Sequence, residues 1–143
     1  MTTPFHTLYT GRLWSIMSWD QLTAFWGRIE PEGWYLYAVG EEVPAAPATP
    51  DQTAEFVRRV DALLRDNHRH DYCSIVYADD LERPGFVKIY DPDNLGVSCG
   101  FSTNPPLPGW IMSRVPPEDL DAGRQPPEGR RRWWRSLFGA SAG

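Results

Sequence analysis

Tyr72-Cys73-Ser74-Ile75-Val76-Tyr77-Ala78, followed after a short polar interval by Phe86-Val87-Lys88-Ile89-Tyr90, decides the fold. The first run is apolar on both of its alternating faces, as a strand inside a sheet must be. The second puts Val87 and Ile89 on one face and Lys88 on the other. Asp79 to Gly85 joins them and ends in Pro84-Gly85, so the two runs predict an antiparallel hairpin.

Upstream of this hairpin lies the clearest helix start in the chain. Thr49 is placed to cap, Pro50 suits the first helical position, and Gln52 closes a capping box. Phe56, Val57, Val60, Leu63 and Leu64 then form one apolar stripe at helical spacing. Glu55 with Arg59, and Asp61 with Arg65, are expected pairs across one turn. The helix is expected to stop near Asn67, a residue that tolerates left-handed backbone. Before the Pro/Ala loop of residues 41–49, Trp34 to Val39 reads as a strand. Residues 19–29 read as an amphipathic helix capped by Ser18, with Pro31 and Gly33 after it. Residues 8–17 fit either strand or loop. Downstream, Asp91-Pro92-Asp93-Asn94 is turn chemistry, residues 95–109 read as a long loop, and Trp110 to Val115 is a last strand.

The expected order is therefore (β)αβαβββ. It describes an α+β domain with a three- to five-stranded, mostly antiparallel sheet and two helices packed on one face. This domain is expected to span residues 1–117. Residues 118–143, with Pro116 and Pro117 before them and Pro126, Pro127, Gly123 and Gly129 within, read as an extended tail: a linker, then a basic and aromatic segment.

Composition narrows the function. A hydrophobic fraction of 41% and an aromatic fraction of 13% supply a core and argue against wholesale disorder. The net charge of −5 is uneven: residues 1–117 hold 15 acids and 9 bases, residues 118–143 hold 4 acids and 5 bases. An acidic body argues against nucleic acid as partner. No run is long and apolar enough to span a membrane. The N-terminus lacks the basic start and apolar stretch of a signal peptide, so a cytoplasmic location is expected. Lys88 is the one lysine beside 13 arginines.

Five features carry potential chemistry or contact. His68, His70, Cys73 and Cys99 offer zinc or iron ligand types, but Cys99 stands alone where structural zinc sites bring short-spaced pairs. Cys99 lies among small residues, Gly96 to Gly100, and as a nucleophile would need a base such as His68 or His70. Asp91 to Gly96 resembles the start of a calcium loop but has Leu95 at position five and Ser102 where a bidentate Glu belongs. Asp79, Asp80, Glu82, Asp91 and Asp93 flank the hairpin and read as turn acids. For these features the structural reading outweighs the catalytic one, and no cofactor is expected.

The last feature is Arg130-Arg131-Arg132-Trp133-Trp134-Arg135-Ser136-Leu137-Phe138. As a helix it brings Trp133 to Leu137, Trp134 to Phe138 and Arg131 to Arg135, with Gly139 as a cap. So short a helix does not hold alone in water, so it must dock on something. Its own acidic body, a groove on a partner and an anionic membrane all qualify.

The reading that follows is a non-catalytic accessory or adaptor protein of bacterial type, an assembly factor or regulatory subunit. It would bind a protein partner through the body, using residues 96–109 and Trp110, and through Arg130, Arg131, Arg132, Trp133, Trp134, Arg135, Leu137 and Phe138. Two linked contacts strengthen each other through effective concentration. Loss of residues 118–143 is then expected to leave melting nearly unchanged. The alternatives are a small Cys/His enzyme or metal-binding protein centred on Cys99, and a peripheral membrane protein anchored by residues 130–138. The sequence leaves the oligomeric state open.

Overall fold

The computed structural model describes residues 3–68, 70–94, 107–120 and 126–138. In chain order these form α1 (Pro4–Thr10), β1 (Trp14–Ser15), α2 (Trp19–Trp26), β2 (Tyr35–Ala38), α3 (Pro50–Asn67), β3 (Val76–Ala78), β4 (Phe86–Ile89), a 3₁₀ turn (Pro92–Asn94), β5 (Trp110–Ser113) and α4 (Glu128–Phe138). The strands make one antiparallel sheet in the order β1-β3-β4-β5-β2. The central hairpin is in place, with Val76 opposite Ile89 and Ala78 opposite Val87.

Strand alternation sorts the sheet into two faces. One face carries Leu36, Ala38, Val76, Ala78, Val87, Ile89, Trp110 and Met112, which pack with Leu22 and Phe25 of α2 and Phe56, Val60, Leu63 and Leu64 of α3. The two expected helices thus share one face. Each fully buried Leu or Phe there contributes about 1.5–3 kcal/mol. The other face carries Tyr37, Phe86 and Ile111 beneath Phe5 of α1.

α1 is an addition to the expected elements. Thr3 caps it by accepting from the His6 N–H, and Pro4 takes the first position. The same Thr-Pro signal was legible at Thr49-Pro50, where the full capping box forms. Two further details differ from expectation. α3 ends at Asn67 without left-handed backbone: the Asn67 side chain donates to the Leu63 carbonyl, and the His68 N–H to that of Leu64. The strand expected over 72–78 begins only at Val76, because Ser74 takes φ 55° and breaks the extended run. The preceding residues still hold to the segment just after β1 through Cys73 N–H to Met17 O and Ser74 N–H to Ile16 O.

The C-terminal segment is the largest departure from an extended tail. Residues 128–138 are helical and lie against the same core as α2 and α3.

Candidate functional site

α4 starts where Pro127 offers its carbonyl to the N–H groups of Arg130 and Arg131. A helix this short gains its stability from packing. Trp133, Trp134, Leu137 and Phe138 share the inner side and pack against the larger core. Trp133 meets Phe56 edge-on at 6.4 Å and Trp110 at 5.3 Å. Trp134 meets the same Phe56 at 6.0 Å, with the rings 87° apart, and Phe138 at 4.8 Å. Such edge-to-face contacts suit the quadrupoles of the rings. Trp110, expected at a partner surface, is only 3% exposed and lies beneath Trp133.

Charge then fixes the register of the helix. Arg130 Nε lies 2.7 Å from Asp91 Oδ2, and its Nη2 lies 2.6 Å from Asp93 Oδ2. Arg131 Nε lies 3.0 Å from Glu41 Oε1. From the other side Arg59 donates to Ser136 Oγ at 2.8 Å and stacks 5.5 Å above Trp133. Arg130 is held more firmly protonated than usual, first by its hydrogen bond to Asp91. The two acids of the calcium-like stretch therefore hold an arginine, and Asp91 also accepts from the Asp93 N–H as a turn residue. Arg59 is engaged by α4 rather than by Glu55, which pairs with Arg58 instead. Arg131 likewise reaches Glu41, and Arg135 reaches back to Glu128 at 2.9 Å. Arg132 and Arg135 are exposed.

Docking α4 creates a groove. Between it and residues 41–48 lies an open cavity of about 550 Å³. Leu36, Val43, Pro44 and Pro47 form one wall and floor, and Trp134 and Phe138 form the other wall. Glu41, Glu42 and Arg135 also line it. In sequence the Pro/Ala loop reads as a connector. No pattern in its sequence shows that it faces an aromatic helix far along the chain.

The Cys/His set is brought together only in part. His68 and His70 stand edge-to-face with ring centroids 4.7 Å apart, and His70 stacks on Tyr72 at 5.1 Å. Cys73 is fully buried, and burial pushes its thiol pKa up, the wrong direction for a thiolate. Cys99 lies outside the described residues. Among the described residues no three His, Cys, Asp or Glu side chains converge as metal ligands. The hairpin acids serve turns: Asp79 Oδ1 accepts from the N–H groups of Gly85 and Phe86, and Asp80 Oδ1 from those of Glu82 and Arg83.

His68 has a measurable consequence. It is 7% exposed, and no hydrogen-bond partner of its Nε2 is found among the described residues. Burial, followed by the charge of His70, lowers its pKa below the ordinary 6.5. The unfolded chain therefore binds this proton more readily, and folding stability falls as pH drops below about 6.5 through the folded-state pKa. His68→Gln is expected to flatten that dependence. Urea midpoints at pH 7.5 and 5.5 check it: an equal drop in both proteins would remove the effect from His68.

No described helix is long and apolar enough to cross a membrane. No family model matches the chain, and no match is found among the curated proteins or the solved structures.

Proposed function

We propose that the chain is a non-catalytic accessory protein that binds a protein partner, with the groove between residues 41–48 and α4 as the docking site. One observation carries this reading. The groove has one wall from the body and one from the C-terminal helix, so the segment contributes by completing a site rather than by reaching outward.

The lining suits an apolar side chain or two from an extended or helical peptide. Proline and alanine on one wall are short and conformationally stiff, and lose little entropy when covered. Trp134 and Phe138 offer flat aromatic contact. The charged groups at Glu41, Glu42 and Arg135 suit polar atoms of the bound backbone or flanking residues. The packing of Trp133, Trp134, Leu137 and Phe138 on the body favours this reading over a membrane anchor, which would need those side chains to leave the core.

Selection from a displayed random-peptide library tests the proposal. Enriched peptides are expected to carry an apolar or aromatic anchor and to shift the amide signals of Val43, Ala46, Trp134 and Phe138. Phe138→Ala is expected to weaken them about tenfold, the loss of roughly 1.4 kcal/mol of contact. Enriched peptides that perturb another surface, or a failure to enrich any, would overturn it.

A further inference from the structure

Two polar groups of the groove are left unpaired by the fold. Trp134 lines the groove, and its indole N–H donates to no group among the described residues. Trp19, Trp26 and Trp34 differ, since each donates to a fixed acceptor: His70 O, Asp61 Oδ1 and Glu30 O. The charged residues at the lip are not equivalent either. Glu41 is neutralised by Arg131, and Arg135 by Glu128. Glu42 is exposed and has no ion pair among the described residues. The groove thus offers one donor on an aromatic wall and one uncompensated negative charge.

These features discriminate among the backbone forms that a peptide could bring. A β-strand adds to a site only where alternate residues supply a row of N–H donors and C=O acceptors. Along the loop, the alternate set 43, 45 and 47 is interrupted by Pro47, which has no N–H. The set 44, 46 and 48 is interrupted by Pro44, and the Ala48 N–H already donates to Trp34 O. A helix uses its carbonyls for its own N–H groups. It would cover the Trp134 donor with side chains and leave it unpaired, which is costly. A polyproline helix has no internal hydrogen bonds. Its carbonyls are free to accept, and its prolines bring no N–H that needs a partner. Its stiff rings suit aromatic walls such as Trp134 and Phe138, with little entropy left to lose.

We propose that the partner segment is proline-rich, in the left-handed polyproline conformation, with a basic residue set against Glu42. This rests on the reading of the groove as the docking site and narrows it to one class of ligand. Proline rings lie between the Pro44 and Pro47 wall and the two aromatic rings. A ligand carbonyl accepts from Trp134 Nε1, and a ligand arginine or lysine meets the Glu42 carboxylate. The space of about 550 Å³ falls within the range of clefts that hold compact ligands, roughly 300–1,000 Å³. α4 supplies both rings and the donor, so it sets the specificity of the groove as well as its shape.

A pair of synthetic peptides of equal length tests this on the full chain. One repeats Pro-Pro-Leu behind an arginine; the other is an alanine-based helix with the same arginine and leucines. Amide and indole NMR signals follow the binding. The proline peptide alone is expected to shift the signals of Val43, Ala46 and the Trp134 indole N–H. Trp134→Phe keeps a ring and removes the donor, and is expected to weaken that peptide about fivefold, the worth of one hydrogen bond. Glu42→Gln, on the exposed lip, is expected to weaken it about twofold, and to leave a peptide with glutamine in place of the arginine unaffected. Equal or tighter binding of the helical peptide in the groove would overturn the ligand class while the groove stands. So would a proline peptide that occupies the groove with its affinity unchanged by Trp134→Phe or Glu42→Gln. Failure of the proline peptide to bind also overturns the class, and the random-peptide selection then decides the groove separately.

Discussion

Phe56→Ala is expected to cost about 3–5 kcal/mol, the range for emptying a fully buried aromatic site. For a chain of this length that is a fall in melting temperature of roughly 10–15 °C. The reason is its place in the packing. Phe56 is fully buried in the stripe of α3 and receives the edges of both Trp133 and Trp134. Its loss opens a cavity under α4 as well as within the core. Stability alone does not tell these apart, so the partner substitution Trp133→Ala completes a cycle. Residues in contact are expected to couple by about 1–2 kcal/mol, whereas independent sites add. Chemical denaturation of the four proteins measures it. Additivity would mean that α4 does not rest on Phe56 in solution.

Truncation after Pro117 is the second large effect. Charge and composition alone lead to the expectation of nearly unchanged melting. The packing reverses that expectation. Without α4, Trp110 and Phe56 lose their aromatic cover. Asp91, itself only 6% exposed, loses Arg130, and Glu41 loses Arg131. Leaving one partner of a buried pair alone costs about 3–5 kcal/mol, less where water reaches it, as here. Part of the total is offset because the shortened chain no longer has to order residues 128–138 on folding. The net expected loss is about 3 kcal/mol, or roughly 10 °C. Thermal melts of the full and truncated chains decide it. Coincident melts would restore the picture of a free tail.

The local elements were largely legible, and particular residues show why. Thr49, Pro50 and Gln52 place a cap, a first turn and a box within four positions, and the physics is complete in those side chains. Val87 and Ile89 opposite Lys88 fix the faces of β4 by period alone. α1 was legible in principle, since Thr3-Pro4 repeats the Thr49-Pro50 signal on a shorter helix. Ser74 was not. Its positive φ answers to the pairing of residues 72–74 with 16–18, a contact between distant segments.

The C-terminal segment divides most sharply between the two levels. By itself the sequence determined that residues 130–138 form an amphipathic, cationic element, too short to stand alone and bound to dock. It also set the opposite charge on the body. Only the tertiary structure decided where the helix docks. The receptor exists nowhere in one stretch of chain: Asp91 and Asp93 follow β4, Glu41 follows β2, Arg59 and Phe56 lie on α3, and Trp110 opens β5. Periodicity and composition report interactions within a few residues. A surface assembled from four separated segments is set by packing and charge pairing between them, and these take shape only when the sheet closes.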